Sequence, residues 1–306
     1  VEHERALVRY LFSLGGTAAI IVEGGEAKLR CLVTPLDSSA GVYSLGFLAA
    51  QDPEYFGSYR PGFERLLQDL AQKHSIRRLV GPINGMTWFP YRLRVDEDSR
   101  SYPWEPLRHP ELKSFLELHQ FEKDASYHTI CSSSFQRYLN DVQGLVEKVK
   151  TRGFQLLRLY PEQLTVEQLR ELHALSLSAF SSNYLFTPIS FEAFVSLYLT
   201  AKSDRPTFLH VALNPQQKMI AYLLSFLEGR ELILKTVTTD PAYRKQGISH
   251  ALIHALGQDL PEDMADTYIS ALVFKGLASE AYAKHGETVW EHHYILLSRS
   301  MQTKAS

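Results

Sequence analysis

The sequence is most informative first in what it has little of. Only two cysteines, Cys31 and Cys131, occur in 306 residues. That excludes a disulfide framework and leaves a single bridge or, as the favoured expectation, two reduced thiols inside a core. No apolar run approaches the roughly 18 to 20 residues of a membrane-spanning helix. The N-terminal stretch has no basic segment leading into an apolar run, so it does not read as a signal peptide. Charge of one sign is also missing. The formal net charge is -2, which argues against a general nucleic-acid-binding surface. No low-complexity tract interrupts a composition that is 45% hydrophobic and 22% charged, ordinary for a folded chain. The expectation is a cytoplasmic protein without a membrane or nucleic-acid partner, long enough for two domains of about 150 residues each.

What is present is organised around residues 231–260. The stretch opens with Leu232, Ile233, Leu234, Val237, Thr238 and Thr239, a strand composition, and breaks at Asp240-Pro241. It resumes with Ile248, Ala251, Leu252, Ala255 and Leu256 at the spacing of one helical face. Between strand and helix lie Arg244, Lys245, Gln246, Gly247, Ile248 and Ser249. The first turn of a helix offers unpaired amides at the positive end of its dipole. Gly247 allows close backbone approach, and two basic side chains add charge. The local expectation is a phosphate or pyrophosphate cradle.

The pattern Arg244-x-x-Gly247-x-Ser249, with Pro241 before it, resembles motif A of the GNAT superfamily of N-acetyltransferases. Ser249 stands where that family has Gly or Ala. Flanking elements agree. Strand 154–159, helices 166–180 and 191–200, strands 207–213, 219–227 and 267–274, a helix at 278–285 and a strand region at 288–299 follow the order of a complete GNAT domain. Lys275 to Tyr282 is similar to the family's Asn-x-x-Ala-x-x-x-Tyr, with Ala278 and Tyr282 in place and Lys275 for the Asn. The resemblance implies acetyl-CoA as cosubstrate, with no metal. Amides of Lys245 to Ser249 would hold its pyrophosphate with help from Arg244. The backbone of Val237, Thr238 and Thr239 would carry the pantetheine arm, and Tyr282 would be the general acid. The family position for a basic Glu falls at Ile233; Glu231, two residues earlier on the same strand face, or a water relay would have to serve.

The first half carries an echo of the second. Asp52-Pro53-Glu54-Tyr55 parallels Asp240-Pro241-Ala242-Tyr243, and Gln68-Asp69-Leu70 parallels Gln258-Asp259-Leu260. Later, Tyr127-His128-Thr129-Ile130 echoes His293-Tyr294-Ile295-Leu296. Helices at 1–16, 63–74 and 111–119 and strands at 18–22, 27–33, 42–50, 76–80 and 126–132 are expected there. Residues 84–110, with two Trp and four Pro, read as a long excursion. The fold expectation is therefore α/β, two tandem GNAT-like domains at 1–140 and 141–306. Each would be a mixed, mostly antiparallel sheet flanked by helices, with 135–150 a helical connector. The first copy has no Arg-x-x-Gly-x-small pattern and Pro61 removes an amide donor, so it would not bind the cosubstrate. His250 and His254 fall on the polar face of the cradle helix as a solvated pair rather than metal ligands.

The expected activity is acetyl transfer from acetyl-CoA to a primary amine, small molecule or peptide, in a ternary complex, by a monomer or homodimer. Acceptor choice would rest in loops 84–110 and 181–190. Two other classes fit parts of the sequence: a non-catalytic acyl-CoA-binding protein, and a tRNA-dependent aminoacyl transferase with tandem GNAT-like halves.

Overall fold

The computed structural model describes all residues except 1, 24–25, 52–59, 107, 200–204, 262–263, 277–281, 283–284 and 302–306. The chain is a mixed α/β protein that divides into two compact units. Unit 1 holds residues 1–127, 184–187 and 292–306, and unit 2 holds 128–183 and 188–291.

Unit 1 begins with α1 (Glu2–Ser13), followed by β1 (Thr17–Glu23), β2 (Glu26–Asp37) and β3 (Val42–Ala50). These three strands pair antiparallel in sequence order. After α2 (Arg60–His74), β4 (Arg78–Gly81) joins parallel to β3. The apolar face of α2, Phe63, Leu67, Leu70 and Ala71, is buried against this sheet together with Leu29, Val33, Leu45 and Leu79. Among its described residues the excursion after β4 contains only the two-residue strand β5 (Leu93–Arg94), and α3 (Pro110–Leu118) and β6 (Glu122–Ser133) follow. The first half thus has the elements its periodicity predicts. The copied motif at 52–59 lies outside the described residues.

Unit 2 starts with the end of β6 and continues into α4 (Phe135–Thr151), β7 (Gln155–Leu159), α5 (Val166–Phe180) and α6 (Phe191–Leu199). Thr165 caps α5 in a reciprocal box: its hydroxyl accepts from the Gln168 amide at 3.2 Å while Gln168 returns a bond at 2.9 Å, satisfying two otherwise orphaned donors. β8 (Thr207–Leu213), β9 (Met219–Glu228) and β10 (Glu231–Thr239) complete an antiparallel run with β7. Then come α7 (Ile248–Asp259), β11 (Thr267–Phe274), which is parallel to β10, and β12 (Thr288–Ser300).

The last strand of each half of the sequence crosses to the other unit. β4 in unit 1 is flanked by the chain's final strand, with Leu297 opposite Gly81 and Arg299 opposite Leu79. In unit 2, β11 is flanked by β6, and the Leu272 amide donates to the Thr129 hydroxyl at 3.0 Å. Sequence order alone predicts a closing strand for each half, but not which sheet it enters.

The helix read as a connector belongs to the core of unit 2. Tyr138, Leu139, Val142, Val146 and Val149 on α4 are buried against Ile248, Leu252 and Leu256 on α7. The two helices meet closely where Gly257 has no side chain; a Cβ there would stand 2.5 Å from Leu139 Cδ1. The expected boundary at 140/141 falls inside this helix. Because Leu139 is 5% exposed, Leu139→Ala is expected to cost about 2–5 kcal/mol in urea denaturation. A change below about 0.5 kcal/mol, the usual size for an exposed position, would show that α4 is not packed in this way.

Candidate functional site

The central feature of unit 2 is a parting of two parallel strands. β10 and β11 are paired from Glu231 opposite Thr267 to Leu234 opposite Ser270, and no further. The antiparallel register with β9 shifts between Leu234 and Thr236, which leaves Lys235 as the extra residue of a β-bulge. Beyond it, Thr236 to Thr239 pair only with β9, opposite Leu224 to Ala221. The Asp240 amide donates to the Ile220 carbonyl at 2.8 Å. By alternation the backbone groups of Thr238 and Thr236 also face β9, while those of Val237 and Thr239 face the opening. An extended ligand can pair there as an added strand. Of the three residues expected on this edge, Val237 and Thr239 present backbone groups. Thr238 instead has its side chain buried, with a hydroxyl that makes no hydrogen bond.

The open edge runs directly into the cradle. Asp240 ends the strand, its carboxylate accepting from the Ala242 amide at 2.9 Å. After a single 3-10 turn, Lys245 and Gly247 both take left-handed backbone conformations, with φ of 62° and 80°. Such alternation turns successive amides to one side and forms an anion-binding concavity. Ile248, 1% exposed, pins the first turn of α7 into the core, and the first bond of the helix runs from the Ala251 amide to the Gly247 carbonyl at 3.0 Å. The amides of Lys245, Gln246, Gly247, Ile248, Ser249 and His250 have no acceptor among the described residues. They form one contiguous donor row at the positive end of α7.

Arg244 has a different job from the one its charge suggests. Its guanidinium donates to the Ala179 carbonyl at 2.7 Å and, more weakly, to the Thr239 carbonyl at 3.4 Å. It therefore ties the loop to the carbonyl end of α5, where a cation is favourable. Lys245 is exposed and Gln246 half-buried. Lys275 is exposed just after β11, and Glu231 is half-buried at the first pair of β10.

Tyr282 lies beside the cradle. The helix expected at 278–285 falls mostly outside the described residues, but Tyr282 itself is described. The Ser249 side chain hydrogen-bonds its hydroxyl, and its carbonyl accepts from the Tyr268 hydroxyl at 2.9 Å. Burial pushes the phenol above its ordinary pKa, while the Ser249 bond pulls it back in part. The phenol is thus protonated at neutral pH, the state a proton donor needs. Ser249, the departure from the family's Gly or Ala, is the residue that touches it.

The neighbours of Tyr282 include a group that sequence reasoning missed. The His250 ring stands 5.3 Å from the Tyr282 ring, edge to face. His250 is not on a solvated face: it is half-buried, with Nδ1 2.7 Å from the Tyr138 hydroxyl. Burial and, secondarily, the nearby His285 hold its pKa below the ordinary imidazole value. His285 is paired with Asp141 at 3.2 Å. The missed signal lay in α4, whose Tyr138 heads an apolar stripe with Val142, Val146 and Val149. His254 is half-buried as well. Among the described residues no group of three His, Cys, Asp or Glu side chains gathers as metal ligands. A cleft of about 240 Å³ in this unit lies at the other end of α7, lined by Phe135, Leu139, Gly257 and Leu260, and contains none of the cradle residues.

No protein-family model matches the sequence, and no curated protein does. Solved structures do match. A tandem GNAT protein from the clavulanic acid biosynthesis pathway aligns over 95% of this chain and 85% of its own, at TM-score 0.50 and 13% identity. A probable N-acyltransferase of Enterococcus faecalis aligns over 98% of this chain at TM-score 0.59 and 10% identity. A GCN5-related N-acetyltransferase from Kribbella flavida does so over 98% at TM-score 0.57 and 10% identity. The chain spans 66% and 64% of the length of the last two. At these identities the likeness establishes the fold alone: this is a GNAT fold.

Because the Ser249 bond lowers the Tyr282 phenol pKa against the effect of burial, Ser249→Ala is expected to raise it. An NMR pH titration of ring-labelled tyrosine would follow this directly. An unchanged or lowered Tyr282 pKa would show that the hydroxyl pair does not form.

Proposed function

We propose that the protein is an acetyl-CoA-dependent N-acetyltransferase acting on a primary amine, small molecule or peptide. The observation that carries the reading is the continuity of the open β10 edge with the row of unaccepted amides from Lys245 to His250. An edge that takes an extended amide-bearing arm is followed at once by a site for its pyrophosphate, with a protonated phenol alongside. Residues 141–306 would carry the activity. Residues 1–140 would contribute no cosubstrate site. The GNAT fold is consistent with acyl transfer in general; the acyl donor and acceptor are part of the proposal.

In this reading the backbone of Val237 and Thr239 aligns the pantetheine arm, and an amide on the same edge polarises the thioester carbonyl as negative charge develops on its oxygen. The amine nitrogen attacks the carbonyl carbon, the carbon–sulfur bond breaks, and Tyr282 gives its proton to the departing thiolate. No carboxylate stands at the strand position where the family has its base. The amine therefore loses its proton to water or through Glu231, or arrives neutral. The protein would act in the cytoplasm, as a monomer or homodimer, without nucleic acid; no helix among the described residues is long and apolar enough to cross a membrane.

Gly247→Glu places a carboxylate in the cradle and asks a side-chain residue to hold a φ of 80°. Like charge at close range costs several kcal/mol, so acetyl-CoA affinity by calorimetry should fall by at least about 100-fold; wild-type affinity would remove the cradle. Tyr282→Phe should lower kcat by about 100-fold or more, the usual scale for a general acid, with KM for acetyl-CoA little changed. Turnover equal to wild type across the pH range would take Tyr282 out of the mechanism.

A further inference from the structure

Unit 1 contains a buried cation that none of its described residues neutralises. Arg92 is 8% exposed. Its backbone is held in the left-handed region at a φ of 87° by a bond from its amide to the Pro82 carbonyl at 2.9 Å. The guanidinium carbon lies 3.8 Å from the centroid of the Tyr91 ring and 3.9 Å from that of Tyr127. The two rings are perpendicular, 5.8 Å apart. One terminal nitrogen donates to the Tyr91 hydroxyl, the guanidinium also hydrogen-bonds the Tyr127 hydroxyl, and Nε is buried without a partner among the described residues.

The contrast with the other arginines drawn into this unit is direct. Arg94, two residues on, is neutralised by Asp96 at 2.8 Å and Glu105 at 3.8 Å. Arg299 meets Glu64 at 2.9 Å, and Arg78 meets Asp124. Among the described residues no carboxylate is within ion-pair reach of Arg92. Two aromatic faces stabilise a guanidinium, but by less than desolvating it costs. A non-glycine residue kept in the left-handed region together with an unsatisfied buried donor is a combination found at ligand clamps.

The surroundings favour an anion of a particular kind. Burial, and then the nearby Tyr91 phenol, push the Tyr127 phenol well above its ordinary pKa, while Arg92, which hydrogen-bonds it, pulls the other way; the phenol stays neutral and adds no negative charge beside the guanidinium. Tyr184 is also kept neutral: burial and then Asp124 raise its phenol to about 12, and its hydroxyl donates to the Asp124 carboxylate. Arg92 offers a planar edge that matches the two oxygens of a carboxylate. One uncompensated positive charge suits a monoanion better than a phosphate dianion. We infer that Arg92, clasped between Tyr91 and Tyr127, is the anchor of a binding site for a carboxylate-bearing small molecule in unit 1. The site is independent of the acyl-transfer reading.

The test uses the full chain and the Nε–H resonances of arginine by NMR, with sodium acetate and sodium benzoate as probes. Inorganic phosphate and chloride serve as comparisons at constant ionic strength. The carboxylates are expected to move one resonance saturably, and that resonance is absent in Arg92→Lys. Tyr127→Phe keeps the ring face but removes the hydroxyl that helps to hold the guanidinium. It should weaken binding by about tenfold, the scale of one lost hydrogen bond, and it reads the site even if Arg92→Lys fails to fold. No saturable movement with either carboxylate would overturn the inference. So would equal movement with chloride, or tighter binding of phosphate.

Discussion

The parting of β10 from β11 after Leu234 is the constraint on which the rest of unit 2 depends. Two parallel strands that stayed paired to their ends would consume the backbone groups of Val237 and Thr239 in the sheet. The bulge at Lys235 prevents this. It adds one residue to β10 against β9 and changes the phase of the strand beyond it, so that a short stretch of edge is left open inside a sheet. The same strand then delivers the chain, through Asp240 and its bond to the Ala242 amide, into the left-handed positions at Lys245 and Gly247. An open edge and a donor row follow one another because one strand leads to both.

The polar groups around that opening are arranged to keep a phenol neutral. Tyr282 is buried enough to resist ionisation, and Ser249 moderates the effect through a hydrogen bond. Its ring lies against a His250 that burial keeps largely uncharged and Tyr138 orients. A charged neighbour would have shifted the phenol much more strongly. Arg244 opens the motif, yet its guanidinium is committed to the carbonyls of Ala179 at the end of α5 and Thr239. Positive charge near the cradle therefore comes chiefly from oriented amides, whose dipoles are held by the fold, rather than from flexible side chains.

Unit 1 follows a different electrostatic logic. Its buried arginines sit beside buried carboxylates, as Arg94 does with Asp96 and Glu105, and these compensated networks stabilise the irregular segment after β4. Arg92 breaks the pattern within the same segment. Among the described residues its charge is met by ring faces and neutral phenols and by no carboxylate, which makes it stand out physically in a part of the chain whose sequence has no recognisable period.

Much of this was legible in the amino-acid order. The alternation in Leu232–Thr239, the stop at Asp240-Pro241 and the apolar face of α7 are local patterns, and local backbone physics was enough to predict strand, turn and helix from them. The Gly at 247 pointed to a cradle for the same reason, since it lets the backbone come close to a ligand just before a helix; the small residue at 249 mattered only through the resemblance to motif A. Other features depended on partners far away in sequence. The stripe on α4 is equally compatible with a connector or a core helix until α7 supplies the face that buries it. His250 reads as solvated until Tyr138, over a hundred residues earlier, comes to within a hydrogen bond. The exchange of β6 and β12 is invisible in order alone, since a closing strand satisfies either sheet. Each element and the chemistry of its turn can be read from amino-acid order, because those follow from neighbouring residues. Which edge stays open, which charge is left unneutralised and which strand closes which sheet were decided only by tertiary packing, because each depends on what a distant segment does or does not bring.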